Sequence, residues 1–135
     1  MGKILIVDDE QMVTKTLSML LGLEGFGNIT TFNNPQDALL WLKDNDVNLI
    51  ISDFIMPQMN GIDFLSKAKP LTNNTSLILL TGYADKENAI RAINEIGIFK
   101  YIEKPWDNTN LIINIKNALE QSRLKRELDK KNSRT

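Results

Sequence analysis

A doubly wound α/β fold, in which helices cover both faces of a parallel sheet, is predicted by the sequence of this 135-residue chain. Five short apolar segments recur along the chain. The first, third and fourth are apolar almost throughout, as expected of strands buried on both faces. Stretches with the apolar spacing of helices lie between and after them. Strand and helix therefore alternate five times, which is the pattern of one parallel sheet with helical crossovers.

The apolar segments define the predicted strands, and residues with special backbone preferences indicate the helix ends. The strands are expected at residues 4–7, 29–32, 49–52, 77–81 and 99–102. Pro35 suits the first turn of the second helix, and the third helix is expected to end before Pro70. Gly97 is expected to stop the fourth helix, and Asp107 to cap the long fifth helix.

Histidine and cysteine are absent from the chain. Their absence excludes a Ser-His-Asp triad, a phosphohistidine carrier, a thiol nucleophile and zinc sites built on histidine or thiolate. Any metal must therefore be held by oxygen ligands, which favours a hard cation such as Mg²⁺. No apolar run is long enough to span a bilayer, and residues 1–7 lack the features of a secretory signal. We therefore expect no membrane association and a cytoplasmic location.

One domain is expected over residues 1–120, followed by an extension of the last helix over residues 121–135. Residues 120–135 carry six basic and three acidic side chains, although the net charge of the whole chain is −1. A solvated helix face explains this basic end better than nucleic-acid binding, because no aromatic residue is interleaved with the charges. The extension is either a linker to an output domain or a frayed tail. Leu124 and Leu128 alone do not make a coiled coil.

Polar residues follow the predicted strands at their carboxyl ends, where ligands bind in open parallel sheets. Asp8 and Asp9 come directly after the first strand, and Asp53 follows the third. Thr81 closes the fourth strand, and Lys104 comes shortly after the fifth. Three carboxylates, one hydroxyl and one ammonium group are therefore expected to share one rim of the sheet.

This collection of groups favours phosphoryl transfer. The crowded carboxylates of Asp8, Asp9 and Asp53 repel one another, and a bound Mg²⁺ relieves the repulsion while leaving room for phosphate oxygens. The carboxylate of Asp53 can then attack phosphorus in line and form an acyl phosphate. Lys104 and the cation would neutralise the phosphoryl oxygens, and the Thr81 hydroxyl would donate a hydrogen bond to one of them.

Four short motifs stand at these strand ends in a fixed order. They are Asp8-Asp9, Asp53-x-x-Met56-Pro57-x-Met59-x-Gly61, Thr81-Gly82 and Lys104-Pro105. The ordered set resembles the receiver domain of two-component response regulators, the chemotaxis-Y-like family, over residues 3–120, and it is far more specific than any single motif. The resemblance implies a flavodoxin-like sheet of five strands in the order 2-1-3-4-5, with five helices.

The resemblance also implies a role for each site residue. Asp53 would be the phosphoacceptor, with Thr81 and Lys104 as the other catalytic residues. The implied ligands of Mg²⁺ are Asp8, Asp9, Asp53 and the backbone carbonyl of Ile55. The protein would then be a phosphoacceptor switch, not an enzyme, and would catalyse only its own phosphorylation and slow autodephosphorylation.

A conformational switch is part of the same resemblance. Tyr101 occupies the position of the family's aromatic switch residue, three residues before Lys104, and would rotate inward as Thr81 moves toward the phosphoryl group. The surface of the fourth helix, fifth strand and fifth helix would change its packing in response. The Lys104–Pro105 peptide bond would be cis, as only bonds before proline readily are.

Partners follow from the resemblance as well. A sensor histidine kinase or a phosphotransfer protein of a phosphorelay would donate the phosphoryl group. An output domain or partner protein would bind the surface of the fourth helix, fifth strand and fifth helix. A phosphorylation-dependent homodimer is one arrangement that the resemblance allows, and no direct binding to nucleic acid is expected.

Two residues depart from the commonest pattern of the family. Ile55 lies two positions after the acceptor, and Tyr83 lies two positions after Thr81. In the family these two side chains flank the path of the hydrolytic water. An apolar Ile55 cannot position that water and Tyr83 could shield it, so slow self-dephosphorylation and a long-lived signal are expected.

Two other functions are compatible with parts of the sequence. A haloacid-dehalogenase-like phosphatase also forms an aspartyl phosphate on a doubly wound sheet, and Asp8 would be its nucleophile. Glu10 would then replace the aspartate expected as the general acid, and the motif that begins at Asp53 would have no explanation. A binding module that works without phosphorylation is the third hypothesis, although the complete set of pocket residues argues against it.

Overall fold

Five parallel strands form one sheet, and the structure, a computed structural model, describes residues 2–133 apart from the side chains of Tyr83 and Ser133. The strands are β1 (Ile4–Val7), β2 (Ile29–Phe32), β3 (Leu49–Asp53), β4 (Ser76–Thr81) and β5 (Lys100–Glu103). Their order across the sheet is β2-β1-β3-β4-β5. The predicted fold class and strand order are therefore confirmed.

Five α-helices cover the sheet. They are α1 (Gln11–Leu23), α2 (Pro35–Leu42), α3 (Gly61–Ala68), α4 (Lys86–Ile96) and α5 (Asn108–Ser133), with 3₁₀ turns at Lys69–Leu71 and Tyr83–Asp85. Helix α5 includes most of the predicted extension, of which residues 134–135 lie outside the described part of the chain. None of the helices in the described part of the chain combines the length and the apolarity that a bilayer crossing requires.

The core has two layers because successive side chains of a strand point to opposite faces of the sheet. Along β1, Leu5 and Val7 face the layer under α2, α3 and α4, whereas Ile4 and Ile6 face the layer under α1 and α5. The largest fully buried side chain is Phe64 of α3. Both faces of β1, β3 and β4 are buried, which is why these strands read as continuous apolar runs.

The strand ends differ from the predicted ends by at most one residue. β3 extends to Asp53, which pairs in register with Leu80, and β4 begins at Ser76. β5 is shifted by one position, so that it ends at Glu103, which pairs with Thr81. Backbone hydrogen bonds set these ends, and they admit polar residues that an apolar pattern does not count.

The helix ends carry the residues that the sequence indicates. Pro35 is the first residue of α2, and Gly97 ends α4 with a φ of 87°, a conformation that glycine adopts without strain. The carboxylate of Asp107 accepts a hydrogen bond of 2.9 Å from the backbone N–H of Asn110 and so caps α5. Asn60 caps α3 in the same way, through the N–H of Asp63 at 2.8 Å.

Candidate functional site

The register of the sheet brings the candidate residues to one rim. Val7 pairs with Ser52, so that the next residues along both strands, Asp8 and Asp53, lie side by side at the carboxyl ends of β1 and β3. Thr81 ends β4 at the same rim, and the backbone N–H of Lys104 donates to the Thr81 carbonyl at 2.8 Å. All four strand-end motifs thus meet, as expected from the sequence.

Asp8, Asp9 and Asp53 form a cluster of carboxylates. One carboxylate oxygen from each lies within 4.8 Å of the others, which is close enough to share a metal ion. Asp8 and Asp53 are buried, with 1% and 7% of their surface exposed, and Asp9 is half-buried. Asp8 Oδ2 is buried and accepts no hydrogen bond from the described residues, so it is available as a ligand. An all-oxygen set of this kind fits Mg²⁺.

Lys104 is the cation of the cluster. Its Nζ atom lies 2.7 Å from Asp53 Oδ1 and 3.5 Å from Asp8 Oδ2. The shorter distance is that of a charge-assisted hydrogen bond, so Asp53 is the main partner of the lysine. The Lys104–Pro105 peptide bond is cis, in agreement with the sequence-based expectation.

Asp8 is oriented by contacts from two neighbouring segments. Its Oδ1 atom accepts a hydrogen bond of 2.9 Å from the backbone N–H of Glu10. Asn33, which directly follows β2, donates from Nδ2 to the Asp8 carbonyl at 2.8 Å and to Thr14 Oγ1 at 3.1 Å. Asn33 is not among the residues predicted from the sequence, and its place at a strand end beside β1 is the only signal that points to it.

The backbone after Asp53 is held by a close approach of α3. The N–H of Gly61 donates to the Phe54 carbonyl at 2.7 Å. A Cβ atom at Gly61 would lie 2.1 Å from the Asp53 carbonyl oxygen, so only glycine fits there. The motif residue Gly61 therefore closes the loop that carries Ile55 back onto the acceptor strand.

Burial raises the pKa of both buried carboxyl groups. It raises the pKa of Asp8 to about 6, although the hydrogen bond from Glu10 acts in the opposite direction. It also raises the pKa of Asp53 above the ordinary 3.8, against the effect of Lys104. Burial acts to lower the pKa of Lys104, but the hydrogen bond and charge of Asp53, together with the smaller effect of Asp8, outweigh it and raise that pKa. A cation beside the two carboxylates would favour their charged forms.

The remaining candidates are less directly joined to the cluster. Thr81 Oγ1 is buried and has no hydrogen-bond partner in the described part of the chain. Tyr101 is half-buried and packs against the core layer under α2, α3 and α4. The side chain of Ile55 is 64% exposed, and that of Tyr83 lies outside the described residues.

Comparison with known proteins places these observations in a family. Residues 4–116 match the family described as response regulator receiver domain. The hydrogenase transcriptional regulatory protein HoxA of Bradyrhizobium diazoefficiens is 34% identical over 95% of this chain, which covers 26% of HoxA. The chain covers between 26% and 51% of the length of HoxA and the next two curated relatives, so in these relatives the matching segment is part of a larger regulator.

Solved structures give the same result. A response regulator receiver domain protein from Clostridium thermocellum matches with a TM-score of 0.84 at 33% identity, over 92% of this chain and 98% of the other. The structure of an adenylate cyclase from Rhodopirellula baltica matches with a TM-score of 0.93 at 28% identity, over 98% of both chains. Since the family match extends over most of the described residues, the chain belongs to the response regulator receiver domains, phosphoacceptor switches of two-component signalling that typically carry such an acidic pocket with a lysine.

Proposed function

We propose that Asp53 accepts the phosphoryl group in this receiver domain and that Mg²⁺ is the metal it requires. The observation that carries the proposal is the position of Asp53, which shares the carboxylate cluster with Asp8 and Asp9 and is hydrogen-bonded by Lys104 at 2.7 Å. The proposed ligands of Mg²⁺ are Asp8, Asp9, Asp53 and the backbone carbonyl of Ile55.

The proposed reaction is an in-line displacement at phosphorus. A carboxylate oxygen of Asp53 forms the new bond to phosphorus while the bond from phosphorus to the donor breaks, and the donor keeps that electron pair and takes up a proton. Bound Mg²⁺ would neutralise developing charge on the phosphoryl oxygens. When Asp53 is phosphorylated, Lys104 loses the charged Asp53 carboxylate as its main partner and transfers that hydrogen bond to a phosphoryl oxygen. The unpartnered hydroxyl of Thr81 donates to another.

The switch follows from the same event. Movement of Thr81 toward the phosphoryl group leaves space beside β4, and Tyr101, whose strand partner is Leu79, rotates into it. The half-buried state of Tyr101 is consistent with a residue that has both an inward and an outward position. The surface formed by α4, β5 and α5 then changes its packing, and we propose it as the face for an output domain, a partner protein or a second copy of the chain.

The lifetime of the phosphorylated state is proposed to be long. The apolar side chain of Ile55 is exposed beside the acceptor and offers no group to orient an attacking water. Tyr83, in the turn after β4, would shield the phosphoryl group from the other side. A half-life that shortens in Ile55→Ala and in Tyr83→Ala would support shielding, and unchanged half-lives in both variants would contradict it.

The proposed donor is a sensor histidine kinase or a phosphotransfer protein, since receiver domains act with histidine kinases. Direct binding to nucleic acid is not proposed for this chain. The proposed location is the cytoplasm. Fractionation of cells that produce the protein would test this proposal.

Intact-mass measurement after incubation with Mg²⁺ and acetyl phosphate tests the assignment. We expect one phosphoryl increment in the wild-type protein and in Asp63→Asn, a control that removes an exposed carboxylate on α3. The increment should be lost in Asp53→Asn and in the presence of EDTA. An increment that persists in Asp53→Asn would assign the chemistry to another carboxylate, such as Asp8, and would support the phosphatase hypothesis.

A further inference from the structure

The last helix continues beyond the sheet and remains in contact with the rest of the protein. Ser122, whose surface is fully buried, donates from its hydroxyl to the Asn74 carbonyl at 2.6 Å. One turn earlier, the Ser76 hydroxyl at the start of β4 lies 2.7 Å from the Ala118 carbonyl and 2.6 Å from Gln121 Oε1. The helix is therefore bound to the amino-terminal end of β4, at the rim of the sheet opposite Asp53.

Arg126 makes the most extensive of these contacts. Its Nη1 and Nη2 atoms bind the two carboxylate oxygens of Asp46 at 2.5 and 3.1 Å, and Nη2 also donates to the Val47 carbonyl at 2.7 Å. The Nε atom is buried, and 24% of the Arg126 side chain is exposed. A bidentate guanidinium–carboxylate pair with an additional hydrogen bond to a carbonyl fixes both the distance and the orientation of the arginine relative to its partners. Farther along, Asp129 accepts a hydrogen bond from the Asn74 side chain.

Arg123, only three residues away, behaves differently. Its guanidinium pairs with Glu120 and Glu127 of its own helix, and 56% of the side chain is exposed. Such pairs contribute little and join nothing outside α5. The two arginines have the same charge and the same helical setting, and they differ in whether their partners belong to another element.

We propose that Ser122, Arg126 and Asp129, with their partners Asp46, Val47 and Asn74, form a basal latch. The latch holds residues 121–129 of α5 against the loops before β3 and β4, so that the helix beyond the sheet moves as one body with the domain. The two leucines of this segment, Leu124 and Leu128, are 51% and 58% exposed, whereas Ser122 is fully buried. The contacts that define the latch are polar, and its opening would expose Ser122.

Hydrogen exchange of the full chain, followed by mass spectrometry, tests the latch. In Arg126→Gln we expect amides of residues 121–131 to exchange about ten- to hundredfold faster than in the wild type, the range produced by loss of charge-assisted hydrogen bonds. Arg123→Gln should exchange like the wild type in this segment. Protection of β1, β3 and β4 should be unchanged in Arg123→Gln and should fall in Arg126→Gln by no more than the factor seen in residues 121–131, because loss of the latch also lowers the global stability.

Two further measurements keep the test decisive. Asp46→Asn removes the partner carboxylate and should accelerate exchange in the same segment, and 1 M NaCl should do so in the wild type because the pair is partly exposed. Equal exchange in Arg126→Gln, Asp46→Asn and wild type would overturn the latch. So would equal acceleration in Arg123→Gln, because a general loss of helix stability would then explain the effect. The inference is independent of phosphorylation at Asp53.

Discussion

The carboxyl group of Asp8 is almost fully buried, and its pKa of about 6 lies well above the usual 3.8. Between these values the folded protein retains a proton that the unfolded chain has released. Stability of the metal-free protein should therefore fall as the pH rises through this window, by roughly 3 kcal/mol from this group alone. The charge at Asp8 therefore destabilises the folded protein, and a bound cation would offset this effect.

We predict that Asp8→Asn stabilises the metal-free protein at pH 7.5 by roughly 2–3 kcal/mol, because the amide keeps the shape of the side chain without its charge. Urea unfolding in EDTA at pH 5 and pH 7.5 measures the effect. Mg²⁺ should then stabilise the wild type and Asp63→Asn but not Asp8→Asn. A wild-type stability that is equal at both pH values, or higher at pH 7.5, would contradict the prediction.

We expect Lys104 to compete with a bound cation for the carboxylate of Asp53. We predict that Lys104→Met tightens Mg²⁺ binding by roughly three- to tenfold, because removal of an ammonium group 2.7 Å from Asp53 leaves its charge uncompensated. Isothermal titration calorimetry gives the affinity, and Lys67→Met on α3 removes an exposed ammonium group as the control. Weaker binding in Lys104→Met would show that the lysine orders the site more than it competes.

Gly61 gives a test of the close approach behind the acceptor. We predict that Gly61→Ala destabilises the protein by about 3 kcal/mol, since its Cβ atom would lie 2.1 Å from the Asp53 carbonyl oxygen. Gly22→Ala is the matched control, because that glycine lies within α1 and its Cβ atom would meet nothing within 4 Å. Chemical denaturation measures both, and Gly22→Ala should be neutral or stabilising. An unchanged stability in Gly61→Ala would mean that the loop can move away from the new Cβ atom without cost.

Among the elements, α4 is fastened at its carboxyl end by two neighbouring features. Gly97 has a φ of 87°, and the Lys69 ammonium donates to the Ile96 carbonyl, where a cation also favours the helix dipole. We predict that Gly97→Ala lowers the free energy of unfolding by about 1–2 kcal/mol, because a side chain at this positive φ strains the backbone. The new Cβ atom would lie 2.7 Å from Lys69 Nζ, the end of a flexible side chain that can move away.

Hydrogen exchange should place the Gly97→Ala effect at the end of α4, with the amino-terminal turn of that helix unaffected. Gly27→Ala is a suitable control, since that glycine has open space around it. Faster exchange spread evenly along α4 would indicate that the helix has no fixed end.

Strands and helices were predictable from the sequence because burial on both faces of β1, β3 and β4 leaves a direct apolar signature. The exact ends of the strands were harder to predict, since Asp53 and Glu103 belong to the hydrogen-bonded ladder of the sheet despite their charge. The site was predictable because its residues lie at strand ends that the topology brings together. Asn33 was missed, as its role depends on a contact with Asp8, which lies 25 positions away in the chain.

Exposure of apolar residues on helices is another feature that spacing alone does not reveal. Met12 shares the helical spacing of α1 but is 75% exposed, as Met19 and Leu23 are at 68% and 82%. Periodicity reports which residues share a face, but the partner of that face is decided by tertiary packing.

At the scale of the whole molecule, the phosphoryl site and the basal latch lie at opposite ends of the same two strands. The family match ends at residue 116, whereas the contacts of Ser122, Arg126 and Asp129 lie beyond it. The contact between Arg126 and Asp46 joins residues 80 positions apart, which no local pattern in the sequence signals.

We predict that a chain ending at Glu120 is less stable than the full chain by about 2–4 kcal/mol, because the Asn74 carbonyl loses the Ser122 hydroxyl and the Asp46 carboxylate loses the Arg126 guanidinium. A chain ending at Lys131 keeps the latch and should match the full chain in thermal and urea unfolding. Equal stability of all three chains would mean that the extension contacts the domain without contributing to its free energy of unfolding.

A helix that is fixed at one end also sets the orientation of whatever follows its other end. Each residue of an α-helix turns the chain by about 100° and advances it by about 1.5 Å. If Arg126 fixes the rotation of α5 about its axis, one residue inserted after Lys131 would place any protein fused after it on another side of the helix. An insertion of a whole number of turns would nearly restore its orientation. In a series of fusions with increasing numbers of inserted residues, the orientation of the fused protein would therefore vary periodically, with the period of the helix.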